Sequence, residues 1–213
     1  MKTINVVWVL VLSLLLTPAI VRANVVGGVD PSYVKVKVYE IRLFQSADCS
    51  GGGLTIYRNN APSLTDMSNS PTIGAGAIPN GTYNCVGLKM SDNIHFATPA
   101  DTLHLGCHGG DDHISDVGHD DIAIDPDGTS HVLGTQGTED IVWLYIRTGG
   151  GNTNGGNQHT WQPTSGIPLT APLVVTGDQS RTMVFDFSGR VGDESDGLGG
   201  WQCGCDSPTM SFR

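Results

Sequence analysis

Tyr33-Val-Lys-Val-Lys-Val-Tyr-Glu-Ile-Arg-Leu-Phe44 is the longest strand-like run in this chain. From Val34 to Val38, valine alternates with lysine, so a β-strand here carries its apolar side chains on one face. From Tyr39 to Leu43 the apolar side chains take the opposite parity. Because one extra residue in a strand exchanges its two faces, we predict a β-bulge near Tyr39-Glu40.

Similar short runs recur between turn residues, while helical periodicity is nearly absent. The runs are Leu54–Arg58, Tyr83–Met90, Ile94–Ala97, Thr102–Cys107, Ile122–Ile124, His131–Leu133, Ile141–Arg147, Leu169–Thr176, Arg181–Phe187 and Thr209–Arg213. Ser91-Asp92-Asn93 is expected to form a hairpin turn. The pattern predicts an all-β fold, an antiparallel β-sandwich of about nine or ten short strands with long Gly-rich loops. A closed barrel is the alternative, because periodicity does not separate the two.

The N-terminus has the features of an export signal. Lys2 precedes an apolar run from Val6 to Leu16, and Ala23 ends an A-x-A-like cleavage site. The run is shorter than the roughly 20 residues that a membrane-spanning helix needs. We predict a signal peptide at residues 1–23, removed after Ala23 or alternatively after Ala19. Residues 24–213 are then a single domain that is periplasmic, displayed on the cell surface or secreted.

Three stretches are expected to be loop insertions into this domain, near residues 107–131, 149–166 and 189–205. The stretch from Gly189 to Gly200 is predicted to be an acidic, flexible loop. Trp161 and Trp201 lie in Gly-rich stretches, where tryptophan can bind a protein or glycan partner. The alternative role for both tryptophans is to cover an end of the core.

The charge balance limits the class of partner. The chain has 11 basic and 21 acidic residues, and loss of Lys2 and Arg22 with the leader leaves 9 basic residues and a formal charge of −12. This charge argues against nucleic acid and anionic membrane surfaces as partners. No stretch after the leader is apolar enough to span a membrane.

Export places the cysteines in an oxidising compartment, where disulfides form and persist. The chain has five, Cys49, Cys85, Cys107, Cys203 and Cys205, so at most two bridges form and one thiol is left over. Spacing alone leaves the connectivity open. The odd thiol can pair between chains, bind a metal or be buried.

The densest polar segment is 107–121, with three histidines and five aspartates in fifteen residues. Imidazole and carboxylate groups are ligands for Zn²⁺, and carboxylates with backbone carbonyls suit Ca²⁺. The candidate ligands are His108, His113, Asp116 and His119, with His104 as the nearest addition. The alternative is a solvated acidic loop.

No catalytic motif is found, so we predict a non-catalytic protein with a structural, adhesive or binding role at or outside the cell surface. Its partner would be a protein or glycan. Residues 24–32 have no evident pairing partner and are expected to mediate self-association by adding to a neighbour's sheet. The alternatives are an extracytoplasmic metal-binding protein using segment 104–121 and a secreted hydrolase with an unrecognised site.

The run Ile78-Pro-Asn-Gly-Thr-Tyr-Asn-Cys-Val-Gly-Leu-Lys-Met-Ser-Asp92 resembles a hairpin of exported bacterial sandwich domains, the prealbumin-like and carboxypeptidase-regulatory-like modules. The end of the first strand, Phe44–Cys49, and the closing Cys205–Pro208 are similar to the same group. The resemblance covers about 45 residues around Pro79-Asn80-Gly81-Thr82-Tyr83. It implies a non-catalytic sandwich on or outside the cell and supplies no catalytic residues.

Overall fold

The computed structural model describes residues 25–69, 78–118, 121–149, 160–161, 166–177, 182–196 and 199–212. The predicted leader lies outside these residues. Within them the fold is all-β, without α-helices and with mostly antiparallel pairing. The strands are β1 (Val26–Val29), β2 (Tyr33–Phe44), β3 (Leu54–Arg58), β4 (Leu64–Asp66), β5 (Gly81–Tyr83), β6 (Cys85–Ser91), β7 (Asn93–Ala97), β8 (His113–Asp116), β9 (Ile122–Ile124), β10 (Ser130–Val132), β11 (Ile141–Arg147), β12 (Thr160–Trp161), β13 (Ile167–Pro168), β14 (Leu173–Val175), β15 (Met183–Asp186), β16 (Val191–Ser195), β17 (Trp201–Cys205) and β18 (Thr209–Phe212).

Strand β2 is paired along both edges. In its second half Glu40 lies opposite Arg58 of β3 and also opposite Lys89 of β6, so these strands flank it. In its first half Lys35 lies between Asp66 of β4 and His95 of β7 in the same way. The pairing of β2 with β6 shifts by one residue between Val38 and Glu40, which confirms the predicted bulge at Tyr39.

The predicted hairpin turn at Ser91–Asn93 is wrong. Both β6 and β7 run antiparallel to β2, so they run in the same direction and form one long path interrupted at Asp92. The backbone N–H and carbonyl of Asp92 instead bond to loop residues, Asp140 O at 3.1 Å and Val117 N at 3.2 Å. The polar triplet therefore marks a kink in the chain rather than a reversal.

Strand β11 occupies the predicted Ile141–Arg147 and is buried on both faces, as its sequence indicated. Val142 and Ile146 contribute to the main core, which also takes Leu173 from β14 and Phe185 from β15. Trp143 and Tyr145 point to the other face, where they form a second cluster with Phe44, Cys49 and Cys85. The Tyr145 hydroxyl donates to the Ile124 carbonyl at 2.8 Å, which fixes β9 over this second cluster.

Two predictions fail in the segments that the sequence marked as loops. The acidic segment from Gly189 contains β16, which pairs with β17 as a hairpin and buries Val191 and Asp193 completely. Segment 107–131 contains β8, β9 and part of β10, whereas most of 149–166 lies outside the described residues. Several of these strands have only two to four residues, too few for alternation to be recognised.

The N-terminal segment has a partner within its own chain, contrary to expectation. Strand β1 pairs antiparallel with β16, with Val26 opposite Asp193 and Val29 opposite Val191. It forms one end of a three-stranded sheet with β16 and β17. Self-association through residues 24–32 would therefore have to use the outer edge of β1.

The cysteines form two disulfides, Cys49–Cys85 and Cys107–Cys203. Disulfides are typical of oxidising, extracytoplasmic compartments. Cys205 is the free thiol and is half-buried. Burial, with a smaller effect from the carboxylates of Asp206 and Glu194, raises the pKa of this thiol to about 12.

The bulge leaves a buried carboxylate on the outer face of β2. Glu40 is 5% exposed, and its Oε1 accepts from Arg42 Nε at 2.5 Å, Arg58 Nη2 at 2.9 Å and Thr55 Oγ1 at 2.9 Å. Burial by itself would raise the pKa of Glu40. The hydrogen bonds from the two arginines and Thr55 outweigh it and lower the pKa to about 2.

This network predicts an acid-sensitive contribution to stability. Because the pKa of Glu40 is lower in the folded chain than its usual 4.5, the contribution is full above about pH 4.5 and is lost as the pH falls through about 2. The shift corresponds to about 3 kcal/mol of unfolding free energy. In urea unfolding between pH 7 and pH 2, the native chain should lose more unfolding free energy than Glu40→Gln by about this amount, because the other carboxylates titrate in both chains.

A surface glutamate provides the control. Glu139 bonds Lys37 at 2.8 Å where both side chains are about one-third exposed. Glu139→Gln should change the unfolding free energy by less than about 1 kcal/mol and preserve the acid-dependent loss. Equal pH profiles for the native chain and Glu40→Gln would contradict the role given to Glu40.

Candidate functional site

The segment Thr102–Cys107 was predicted to be a strand and is instead a tight loop. Thr102 N donates to the Cys107 carbonyl at 3.0 Å, and Leu105 N donates to the Thr102 carbonyl at 3.0 Å. Leu105 has a φ of +58°, the left-handed region that a leucine rarely adopts. The alternation of leucine and histidine resembled a strand, but both leucines project from the surface.

The carboxylate of Asp193 in β16 holds this loop in place. Asp193 is fully buried and accepts hydrogen bonds from the Thr102 hydroxyl, from His104 N at 2.7 Å and from Gly106 N at 2.8 Å. Burial opposes ionisation, but these three donors outweigh it, so the pKa of Asp193 lies below its ordinary value. The loop is thus closed around a buried negative charge.

Gly106 is required by this arrangement. A Cβ on Gly106 would lie 2.6 Å from the Gln202 carbonyl oxygen and 2.8 Å from Asp193 Oδ1. Both distances are shorter than van der Waals contact, and the first involves rigid backbone. Only glycine lets the loop approach β17 this closely.

A disulfide and an aromatic stack join the loop to β17. Cys107, the last residue of the loop, is bonded to Cys203. The imidazole of His104 stacks on the indole of Trp201, with ring centroids 4.0 Å apart and planes 8° apart. Trp201 begins β17 and is 39% exposed, so it forms part of the surface.

These contacts display an apolar surface. Leu103 is 80% exposed and Leu105 is 57% exposed, and the two residues flank His104 in the sequence. We call Leu103, His104, Leu105 and Trp201 the apolar tip. A disulfide and the hydrogen bonds to Asp193 hold the backbone of the loop that carries this surface.

The predicted metal ligands do not converge where the structure describes them. His104 is committed to Trp201, and His108 Nδ1 lies 3.8 Å from Asp101 Oδ1. His113 Nε2 lies 3.4 Å from the carbonyl of His108, and Asp116 accepts from two backbone amides. His119 lies outside the described residues. Among the residues that are described, no three His, Cys, Asp or Glu side chains are grouped to hold a metal ion.

Metal binding by segment 104–121 therefore stays a prediction, and it can be tested directly. If the segment binds metal, protein purified without added metal should contain stoichiometric zinc or calcium, and returning the ion at 100-fold its Kd to the metal-stripped protein should raise the melting temperature by roughly 5–10 °C. His113→Ala should abolish that rise. His131→Ala, which changes an exposed histidine on β10, should preserve it. A metal-free protein with an unchanged melting temperature would leave the solvated-loop interpretation.

Trp161 is not assigned to the apolar tip, whereas Asp193 is a residue of the site that the sequence did not reveal. Trp161 belongs to β12, which pairs with β9, and its side chain lies outside what the structure describes. Asp193 was missed because its sequence context, Gly-Asp-Glu-Ser-Asp, is that of a solvated loop. Asp193 accepts hydrogen bonds from backbone amides that lie 87 and 89 positions away in the sequence. The residues next to Asp193 give no indication of such distant contacts.

Asp193 should be essential to the loop's stability. Asp193→Asn replaces one accepting oxygen with a donating NH₂ group, although three neighbouring groups donate to this side chain. We therefore expect the unfolding free energy, measured in urea at pH 7, to fall by about 2–4 kcal/mol. Glu194→Gln is the matched control on the same strand. Burial raises the pKa of Glu194, so removing its charge should cost little. Equal effects of the two substitutions would show that Asp193 does not organise the loop.

Comparison with protein-family models, curated proteins and solved structures finds no match to this chain. In the part of the chain that is described, no helix has the length and apolar character needed to cross a bilayer. A role for the apolar tip is therefore inferred from the chemistry of its side chains.

Proposed function

We propose that this chain is an exported, non-catalytic β-sandwich protein that binds another protein at or outside the cell surface through the apolar tip. The observation that carries the proposal is the exposure of Leu103 and Leu105 on a loop held rigid by Asp193 and the Cys107–Cys203 disulfide. The two disulfides and the leader-like N-terminus support export.

The loop geometry favours binding over a purely structural role. A leucine in the left-handed region costs roughly 1–2 kcal/mol, and Leu105 recovers little of this by burial because its side chain is more than half exposed. A glycine at this position would avoid the cost. Backbone strain of this kind occurs at binding sites, where a fixed conformation reduces the entropy lost on association.

The side chains of the tip indicate a protein partner rather than a glycan. Leucine side chains have no hydrogen-bonding groups and bind best in an apolar pocket, as at the centre of a protein interface. One face of the Trp201 ring is already occupied by His104. The chain is acidic, with a formal charge of −10 over its whole length, so a partner with a neutral or basic rim is favoured.

Leu105→Gly separates binding from folding. It removes an exposed side chain and relieves the positive φ, so the unfolding free energy should stay equal or rise by about 1 kcal/mol. Binding of the labelled protein to the surface of its source cells should weaken at least about tenfold, the effect of losing a central apolar contact. Leu103→Ala should act in the same direction.

The control is another exposed apolar residue, far from the tip in sequence. Val132 on β10 is 75% exposed, and Val132→Ala should leave cell-surface binding unchanged. Protease treatment of the cells should abolish binding if the partner is a protein. Binding that is equal for the native chain, Leu105→Gly and Leu103→Ala would refute the proposal.

A further inference from the structure

A cleft lies over the bulge of β2, on the opposite side of the strand from the main core. It has a volume of about 220 Å³ and is lined by Tyr39, Glu40, Arg58, Asn60, Lys89 and Ile141. Neighbouring residues of a regular strand point to opposite faces, yet Tyr39 and Glu40 both line the cleft. The bulge makes this possible, and bulges commonly redirect side chains beside functional sites.

Arg58 is fixed in the cleft with most of its donors available. Its Nη2 bonds the buried Glu40 carboxylate at 2.9 Å, while its side chain remains 57% exposed. Glu40 thus anchors the guanidinium without covering it. An anchored, exposed guanidinium is well suited to bind a carboxylate through two parallel hydrogen bonds.

Lys89 supplies a second positive charge across the cleft. It lies opposite Glu40 in the β2–β6 pairing, and its Nζ is 5.8 Å from the centre of the Trp143 ring. Within the described part of the chain, no carboxylate lies within 4.0 Å of this Nζ. Its ammonium group is therefore available to a ligand.

The cleft carries positive charge in an acidic protein. Of the residues that line it, Arg58 and Lys89 are cationic and Glu40 is anionic, and Glu40 is bonded by Arg58 and by Arg42 beside the cleft. The charged residues of the lining therefore sum to +1, whereas the chain as a whole has a formal charge of −10. A small anion is thus attracted to this cleft in preference to the rest of the surface.

We propose that the cleft binds the carboxylate of an acidic saccharide, with Arg58 and Lys89 as its ionic partners. Tyr39 and Asn60 line the same space, and a hydroxyl and an amide are groups that hydrogen-bond sugar hydroxyls. A volume of about 220 Å³ is large enough for a single sugar-acid unit. This site is distinct from the apolar tip and does not depend on the function proposed for it.

Calorimetric titration tests the proposal with galacturonic acid and its short oligomers. Galactose is the neutral comparison, and N-acetylglutamate and sulfate are acids without a sugar. The uronates should bind, with an affinity that decreases as salt increases, and the three comparison compounds should bind at least tenfold more weakly. Absence of uronate binding, or equal binding of galactose, would overturn the proposal. Equal binding of N-acetylglutamate or sulfate would overturn the saccharide assignment.

Two variants and one control locate the binding. Arg58→Gln and Lys89→Gln should each lower uronate affinity at least tenfold. Lys89→Gln makes no change to the Glu40 network, so it remains informative if Arg58→Gln folds poorly. Lys37→Gln removes a lysine that is already paired with Glu139 and should have no effect. Uronate binding that survives both cleft variants would overturn the assignment, and Leu105→Gly should leave it intact.

Discussion

Hydrogen bonding along both edges of β2 is the constraint that organises this molecule. Once β3 and β4 occupy one edge and β6 and β7 the other, the register of five strands is fixed together. A single extra residue at Tyr39 then lets Val34–Val38 and Ile41–Leu43 share the main core despite their opposite parity. The same bulge turns Glu40 to the face of β2 opposite the main core. There its carboxylate is covered from solvent and is stabilised by ion pairs with Arg42 and Arg58. Core packing and the charged cleft thus have one origin.

A second buried carboxylate, Asp193, has a comparable role at the apolar tip. An ionised side chain without solvent is costly unless its oxygens are fully hydrogen-bonded. The loop Thr102–Cys107 provides those bonds from one hydroxyl and two amides. These bonds also stabilise the loop in a conformation that its own sequence does not favour, with Leu105 in the left-handed region. The exposed leucines therefore lie on a loop that is held by these hydrogen bonds and by the Cys107–Cys203 disulfide.

The sequence predicts the parts of this fold that depend on local alternation. Strands β2, β3 and β11 have the predicted bounds, because each has at least five residues with a clear pattern of burial. The hairpin of β16 and β17 was missed, because its central Asp193 is buried only through distant donors. The prediction of a strand at Thr102–Cys107 is wrong. Its Leu-His-Leu sequence alternates between apolar and polar residues as a half-buried strand does, although both leucines are exposed. Disulfide pairing over separations of 36 and 96 residues has no local signal.

The raised pKa of Cys205 has a consequence for the chemistry of the neighbouring disulfide. Cys205 lies two residues from Cys203 on the same strand, where a reactive thiolate could attack the Cys107–Cys203 bond and rearrange it. With a pKa raised to about 12, the thiol is almost entirely protonated at neutral pH. Disulfide reshuffling within the chain is therefore slow, and the odd cysteine can persist beside a bridge in an oxidising compartment without scrambling it.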